Sequence, residues 1–209
     1  ALASFFRIMR YASFLMTLLL PGIYVAIAEY HPEMIPFALL NTIGASKAGT
    51  PFGTVMEVLL MSFTFYVLIQ VSMQVPSSMG SAVSIVGGIV LGQAAVQAQL
   101  VSPGVIVVIA AASIAALAIP NKDANFATWI WQGFITILTA VLGLYGLTFG
   151  VILLLYSLAR LESLGVPYLS PYIHPKKMQL EDSLVRFPLT DIQNRPTYLK
   201  PKIKERKKA

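Results

Sequence analysis

Glu57 is the residue of this chain with the most demanding chemistry. It lies inside the apolar run Thr50 to Ser72, and a carboxylate at membrane depth must be paired, hydrated or neutralised. Two readings of it stay open. Glu57 is either an interior group with a function or, two turns from the start of its helix, a side chain reaching interfacial water. A second polar set lies between Ser77 and Leu100, where Ser77, Ser81, Ser84, Gly88, Gly92, Ala95 and Gln99 share one helical stripe. Gly88 and Gly92 form a small-xxx-small pair suited to close helix packing. Gln93 and Gln97, four residues apart, add amides that lipid does not solvate, so the same segment also fits the lining of a pore or cavity.

Catalytic constellations are missing. The chain has no Cys, which removes disulfides, thiolate metal sites and cysteine nucleophiles. Its two histidines, His31 and His174, each adjoin a proline far apart in the sequence, and no carboxylate pair or histidine cluster has general acid–base or metal-ligand spacing. Gly87-Gly88 has helical flanks and no GxGxxG after a strand, so it is not a nucleotide fingerprint. The expectation is no enzyme, no metal and no cofactor.

The elements that must position these residues are read from the greasy text around them. Of 209 residues 56% are apolar and 11% charged, with a mean hydropathy of +0.73, so a soluble fold would have almost no surface. A crossing helix needs roughly 20 mostly apolar residues. Runs such as Ser102 to Ile119 and Phe126 to Ala159 meet that without an internal charge. The fold class is therefore all-α, a polytopic membrane helical bundle.

The first span covers about Ile8 to Glu29 and carries Pro21-Gly22, a hinge that frees a backbone carbonyl and places this helix inside the bundle. Pro36 to Ala48 is too short to cross and reads as an interfacial connector helix. Thr50-Pro51 reads as an N-cap with proline at the first helical position, and Ser102-Pro103 caps the following helix, which runs to Pro120. The 34 residues from Phe126 to Ala159 would reach about 50 Å as one helix, so a break is expected at Gly143-Leu144-Tyr145-Gly146. That gives a re-entrant or short-helix pair and an even number of crossings. Trp129, Trp131 and Tyr156 read as interfacial anchors.

Charge orients the bundle. The residues from Arg160 onward carry the whole net charge of +6, and the rest is neutral. With Arg7 and Arg10 before the first span, this places both termini in the cytoplasm. Residues 1–160 form the transmembrane domain and 161–209 a basic cytoplasmic tail, for which solvation or contact with anionic membrane lipid is favoured over nucleic acid. Ala1 stands close to the first apolar run, which points to a piece whose soluble N-terminal domain lies upstream.

The stretches LLLPGIYVAIAEYHPEMIP (Leu18 to Pro36), PFGTVMEVLLMSFTF (Pro51 to Phe65), SAVSIVGGIVLGQAAVQAQLVSP (Ser81 to Pro103), GLYGLTFGVILLLYSLARLESLGVPYLSP (Gly143 to Pro171) and EDSLVRFPL (Glu181 to Leu189) resemble, in order, successive blocks of the GerA family. These are the A subunits of spore germinant receptors. The resemblance implies a membrane subunit of the spore inner membrane that forms a homo-oligomer and works with a transporter-like B subunit and a lipoprotein C subunit. It also implies nutrient sensing coupled to release of monovalent cations, with the Ser77 to Leu100 helix as the pore candidate. The related stage V sporulation AF branch is associated with amplifying germination.

The chain departs from the family pattern where acidic residues are expected. Ser62, Tyr66 and Gln70 occupy the later acidic positions of the second long helix, and Gln97 stands where the family has Glu. Losing those carboxylates removes groups that attract cations. The alternative reading is a non-conducting scaffold or accessory paralogue. A secondary transporter is weaker, since no internal repeat is visible.

Overall fold

The computed structural model describes residues 2–74, 77–163 and 166–169; the basic tail from Lys176 to Lys208 falls outside them. The described chain is helical: α1 (Leu2–Val25), α2 (Phe37–Lys47), α3 (Thr54–Gln74), α4 (Ser77–Gln97), α5 (Pro103–Ala116), α6 (Lys122–Leu142) and α7 (Leu144–Arg160). A hairpin with strands β1 (Glu162–Ser163) and β2 (Val166–Pro167) follows. Three of the described helical stretches are long and apolar enough to cross a membrane, Ala3–Tyr30, Thr54–Ser72 and Lys122–Leu142.

Two compact units are distinguished. Ser13–Val151 form the larger, which holds every site discussed below. The other is described over residues 2–12, 152–163 and 166–169. In its described part the hairpin pairs Glu162 with Pro167 and Ser163 with Val166, and Tyr168 N–H closes it by donating to Leu161 O at 2.8 Å.

The outside of the larger unit is apolar, and its core mixes apolar with polar side chains. Along α3 the residues Met56, Leu60, Phe63, Val67 and Val71 are exposed, whereas Thr54 and Glu57 on the other face are fully buried. On α6 the exposed set is Phe126, Ile130, Phe134, Ile137 and Val141, and the buried set is Asn125, Thr128, Gln132, Thr136 and Thr139. Grease outward and hydrogen-bonding groups inward is what lipid selects, since burial of apolar surface gives no driving force between helices there. The bundle is held instead by close packing and polar contacts. Val25, Val58, Met61, Phe65, Val101, Val105 and Ile109 make the core among α1, α3 and α5.

Pro21 lies inside α1, and the helix continues through it into a π-helical turn at Ala26–Tyr30. Pro21 and Gly22 are both buried, and a Cβ on Gly22 would stand 3.4 Å from Thr139 Oγ1 and from Leu147 Cδ1. The predicted connector is α2. Its end is tied to the end of the first span by Lys47 Nζ on Glu29 Oε1 at 2.9 Å.

Two sequence expectations are corrected here. Thr50-Pro51 does not cap α3: the helix starts at Thr54, its first backbone bond running from Glu57 N–H to Gly53 O, and Thr50 Oγ1 donates back to Lys47 O. The second concerns α5, which has 14 residues, about 21 Å, and stops at Ala116 rather than Pro120. Tight turns, with Leu117 N–H on Ile114 O and Ala118 N–H on Ala115 O, end it. Buried Asn125 on α6 then donates from Nδ2 to Ala116 O at 3.3 Å, a second bond on a carbonyl that already accepts from Ile119 N–H in the terminating turn.

The expected break in the long final run is found at Gly143, whose φ of 61° and ψ of −139° end α6. An L side chain resists that backbone, and here a Cβ would also press on the Tyr30 ring at 3.0 Å. The Tyr30 hydroxyl donates to Ala140 O and pins the same corner. α7 then folds back along α6 through Gly146, where a Cβ would overlap the Leu138 carbonyl, and Gly150, where it would lie 2.9 Å from Ile135 Cγ1.

Candidate functional site

Glu57 is an interior residue, 0% exposed. It projects from the first turn of α3 toward the start of α5, where Ser102 N–H and Ser102 Oγ–H both donate to Glu57 Oε2, at 2.9 and 2.8 Å. Ser102 occupies the N-cap position with Pro103 at the first helical position, as its sequence implies, yet its hydroxyl makes no cap bond to its own helix. An acceptor of negative charge at a helix N-terminus meets free N–H groups and the positive end of the helix dipole. The latch therefore offsets part of the cost of burying a carboxylate and joins residues 45 apart in the chain.

Glu57 Oε1 is buried with no hydrogen-bond partner among the described residues. Alongside, Glu57 lines a cavity of about 170 Å³ with Leu60, Met61, Leu91, Ala95 and Val101.

The α4 residues fall into two groups. Gly92 is buried, a Cβ there lying 3.5 Å from Ile106 Cγ2 of α5, and Gly88 faces Phe65 of α3 at 3.9 Å. The small pair thus packs α4 against helices of its own chain. Gln93 and Gln97 are exposed. Ser81 and Ser84 lie in α4, but their side chains are outside the described residues. We expect Gly92→Leu and Gly88→Leu to lower stability by about 1–3 kcal/mol through overpacking, and exposed Val90→Leu to stay within about 0.5 kcal/mol. Thermal unfolding in detergent measures this, and equal midpoints for all three would refute the packing role.

A polar stripe on α6 went unread in the sequence. Asn125, Thr128, Gln132, Thr136 and Thr139 recur at steps of three and four, the spacing of one helical face. The threonines return their hydroxyls to carbonyls of their own helix. Gln132 Nε2 reaches Ser62 Oγ of α3 at 3.3 Å, and Thr17 Oγ1 of α1 donates to Ala112 O of α5 at 3.2 Å. Thr17, Ser62, Asn125 and Gln132 surround a cavity of about 20 Å³, room for one water. Trp129 is not simply an anchor: it stacks on Tyr66 with ring centroids 4.3 Å apart.

Fold and site together define a polytopic helical membrane protein with Glu57 and the α6 polar stripe turned inward. The chain belongs to the GerA family, described as Bacillus/Clostridium GerA spore germination protein, whose profile matches residues 1–198. It is 39% identical over 195 residues to spore germination protein KA of Bacillus subtilis (strain 168), covering 93% of this chain and 36% of that protein. Spore germination protein A1 of the same organism is 34% identical over 194 residues, with 93% and 40% covered. An uncharacterized membrane protein, YfkQ, is 31% identical over 195 residues, with 93% and 38% covered. The chain thus spans well under half the length of these relatives. No solved structure matches it.

Proposed function

We propose that this chain is the membrane portion of a subunit of a spore germination complex, coupling nutrient sensing to release of monovalent cations through an oligomeric pore. The carrying observation is the family match across residues 1–198, joined to relatives named as spore germination proteins. A homo-oligomer, a transporter-like B subunit and a lipoprotein C subunit are its proposed partners, and the spore inner membrane its location. Gln93 and Gln97, exposed on α4, supply amides for a neighbouring copy or a wet lining. Ion flux through the chain reconstituted as an oligomer tests conduction; impermeability of a verified oligomer counts against it.

A second reading, a non-conducting scaffold or accessory paralogue, draws on α3. Two positions where the family resemblance expects acidic residues hold packing groups instead: Ser62 accepts from Gln132, and Tyr66 stacks on Trp129. The same flux measurement separates the two.

The proposed topology places both termini and the tail 161–209 in the cytoplasm, with residues 1–160 as the membrane domain. The absence of native Cys suits it to labelling. A Ser4→Cys variant should resist an impermeant thiol reagent in intact cells and react after permeabilisation; labelling of intact cells contradicts the orientation.

A further inference from the structure

We propose that the groove between α3, α4 and α5 binds one straight alkyl chain of a membrane lipid. A cavity of about 350 Å³ lies there, the size of a small-ligand pocket. Its α5 side runs from Ile106 through Ala110, Ser113 and Ile114 to Leu117, at the three- and four-residue steps of one helical face. Phe65 and Leu68 line it from α3, and Gly88 and Ile89 from the described part of α4. The mouth opens toward hydrocarbon. α3 is one of the helices long and apolar enough to cross a membrane, and the side chains of Ile89, Ile114 and Leu117 are more than half exposed.

The lining decides the chemistry of the occupant. Among the described lining residues none is charged and Ser113 alone carries a hydroxyl, so an ion or a polar nutrient would lose its water without replacement. Apolar cavities stay dry, yet one left unfilled forfeits the dispersion contacts of its whole lining. The occupant is therefore apolar. Size decides which apolar occupant. From Ile106 to Leu117, α5 extends about 17 Å, and the volume spread over that length leaves a mean section of about 20 Å², or about 4–5 Å across. A helix of a second copy, about 10–12 Å wide with its side chains, does not enter. An extended alkyl chain, whose carbons pack about 4 Å from their neighbours, fits lengthwise. The site goes beyond the germination role, since it needs only that the chain sits in a bilayer and stands whether or not an oligomer conducts.

The test places the full chain in nanodiscs of diphytanoyl phosphatidylglycerol, whose methyl-branched chains are too broad for the groove. These are doped with a straight-chain phosphatidylglycerol carrying a diazirine in one acyl chain, and after photolysis peptide mass spectrometry locates the adducts. Labelling between Ile106 and Leu117 should saturate as the probe fraction rises. At low fraction it should exceed labelling of exposed Ile137 on α6 by about tenfold or more. Ala110→Leu and Ser113→Leu, which fill the groove, should remove that excess, whereas Val107→Leu, at an exposed position of α5 outside the lining, should keep it. Ile114→Ala and Leu117→Ala, at positions exposed enough to tolerate truncation, serve where a filled variant fails to fold, and should raise the half-saturating probe fraction several-fold. Three results overturn the proposal: labelling in simple proportion to probe fraction, as at Ile137; an excess undiminished in the filled or truncated variants; or protection of these residues from the probe throughout, as a docked second copy would give. Ion flux has no part in the readout, so failure here leaves the pore reading to its own test.

Discussion

Gly146→Ala should leave little folded protein. A Cβ at this position would overlap the Leu138 carbonyl and sit 3.0 Å from Leu142 Cβ, and a backbone carbonyl cannot step aside as a flexible side chain can. α7 would have to lift off α6, taking with it the contact between Gly150 and Ile135. Overpacking costs typically about 1–3 kcal/mol, and more where backbone must move. The loss should lie at or above the upper end of that range. Gly133, with nothing within 4 Å of its would-be Cβ, is the control, and its alanine variant should match or exceed the parent in yield and melting midpoint. A parental midpoint for Gly146→Ala would show that the helical hairpin is not packed as described.

Glu57→Ala should be the most damaging change in the latch, and Glu57→Gln much milder. Alanine strands Ser102 N–H and its hydroxyl in a buried site, and each buried donor left unpaired costs about 1–3 kcal/mol. Glutamine keeps an oxygen able to accept from both Ser102 donors while removing the charge. Its expected cost to stability is about 1 kcal/mol, with the larger consequence falling on function. Ser62→Ala, which loses one long bond from Gln132 at 3.3 Å, should cost about 0.6 kcal/mol, the average for a polar contact between membrane helices. Melting midpoints in detergent order these variants; equal loss for Glu57→Ala and Glu57→Gln would mean that hydrogen bonding to Ser102 contributes nothing.

The parts of the fold written in local chemistry were legible in the sequence. Gly143 advertised the break because 34 unbroken residues exceed a membrane's thickness, and the short connector before Gly49 announced α2. What stayed hidden depended on rotation about a helix axis. Periodicity showed that Glu57 lies in a membrane helix but not which way it faces, since inner and outer faces differ only through partners distant in sequence, here Ser102. The α6 stripe was readable at its spacing, yet Thr and Asn among apolar residues look unremarkable until the helix is seen greasy side outward. Gly146 and Gly150 carry a GxxxG spacing, and only the structure shows that it packs α7 on α6. At Thr50-Pro51 the local rule named the wrong start, because Gly53 supplies the first helical carbonyl three residues later.

We propose that this chain acts in cation release during germination, and substitution of Glu57 tests whether its buried carboxylate takes part. The most direct measurement is germination-linked release of monovalent cations from spores carrying Glu57→Gln in the native copy, at matched protein level, beside the parent and Ser62→Ala. Release should be clearly slowed by Glu57→Gln and close to parental for Ser62→Ala. Release by Glu57→Gln at the parental rate would contradict the claim.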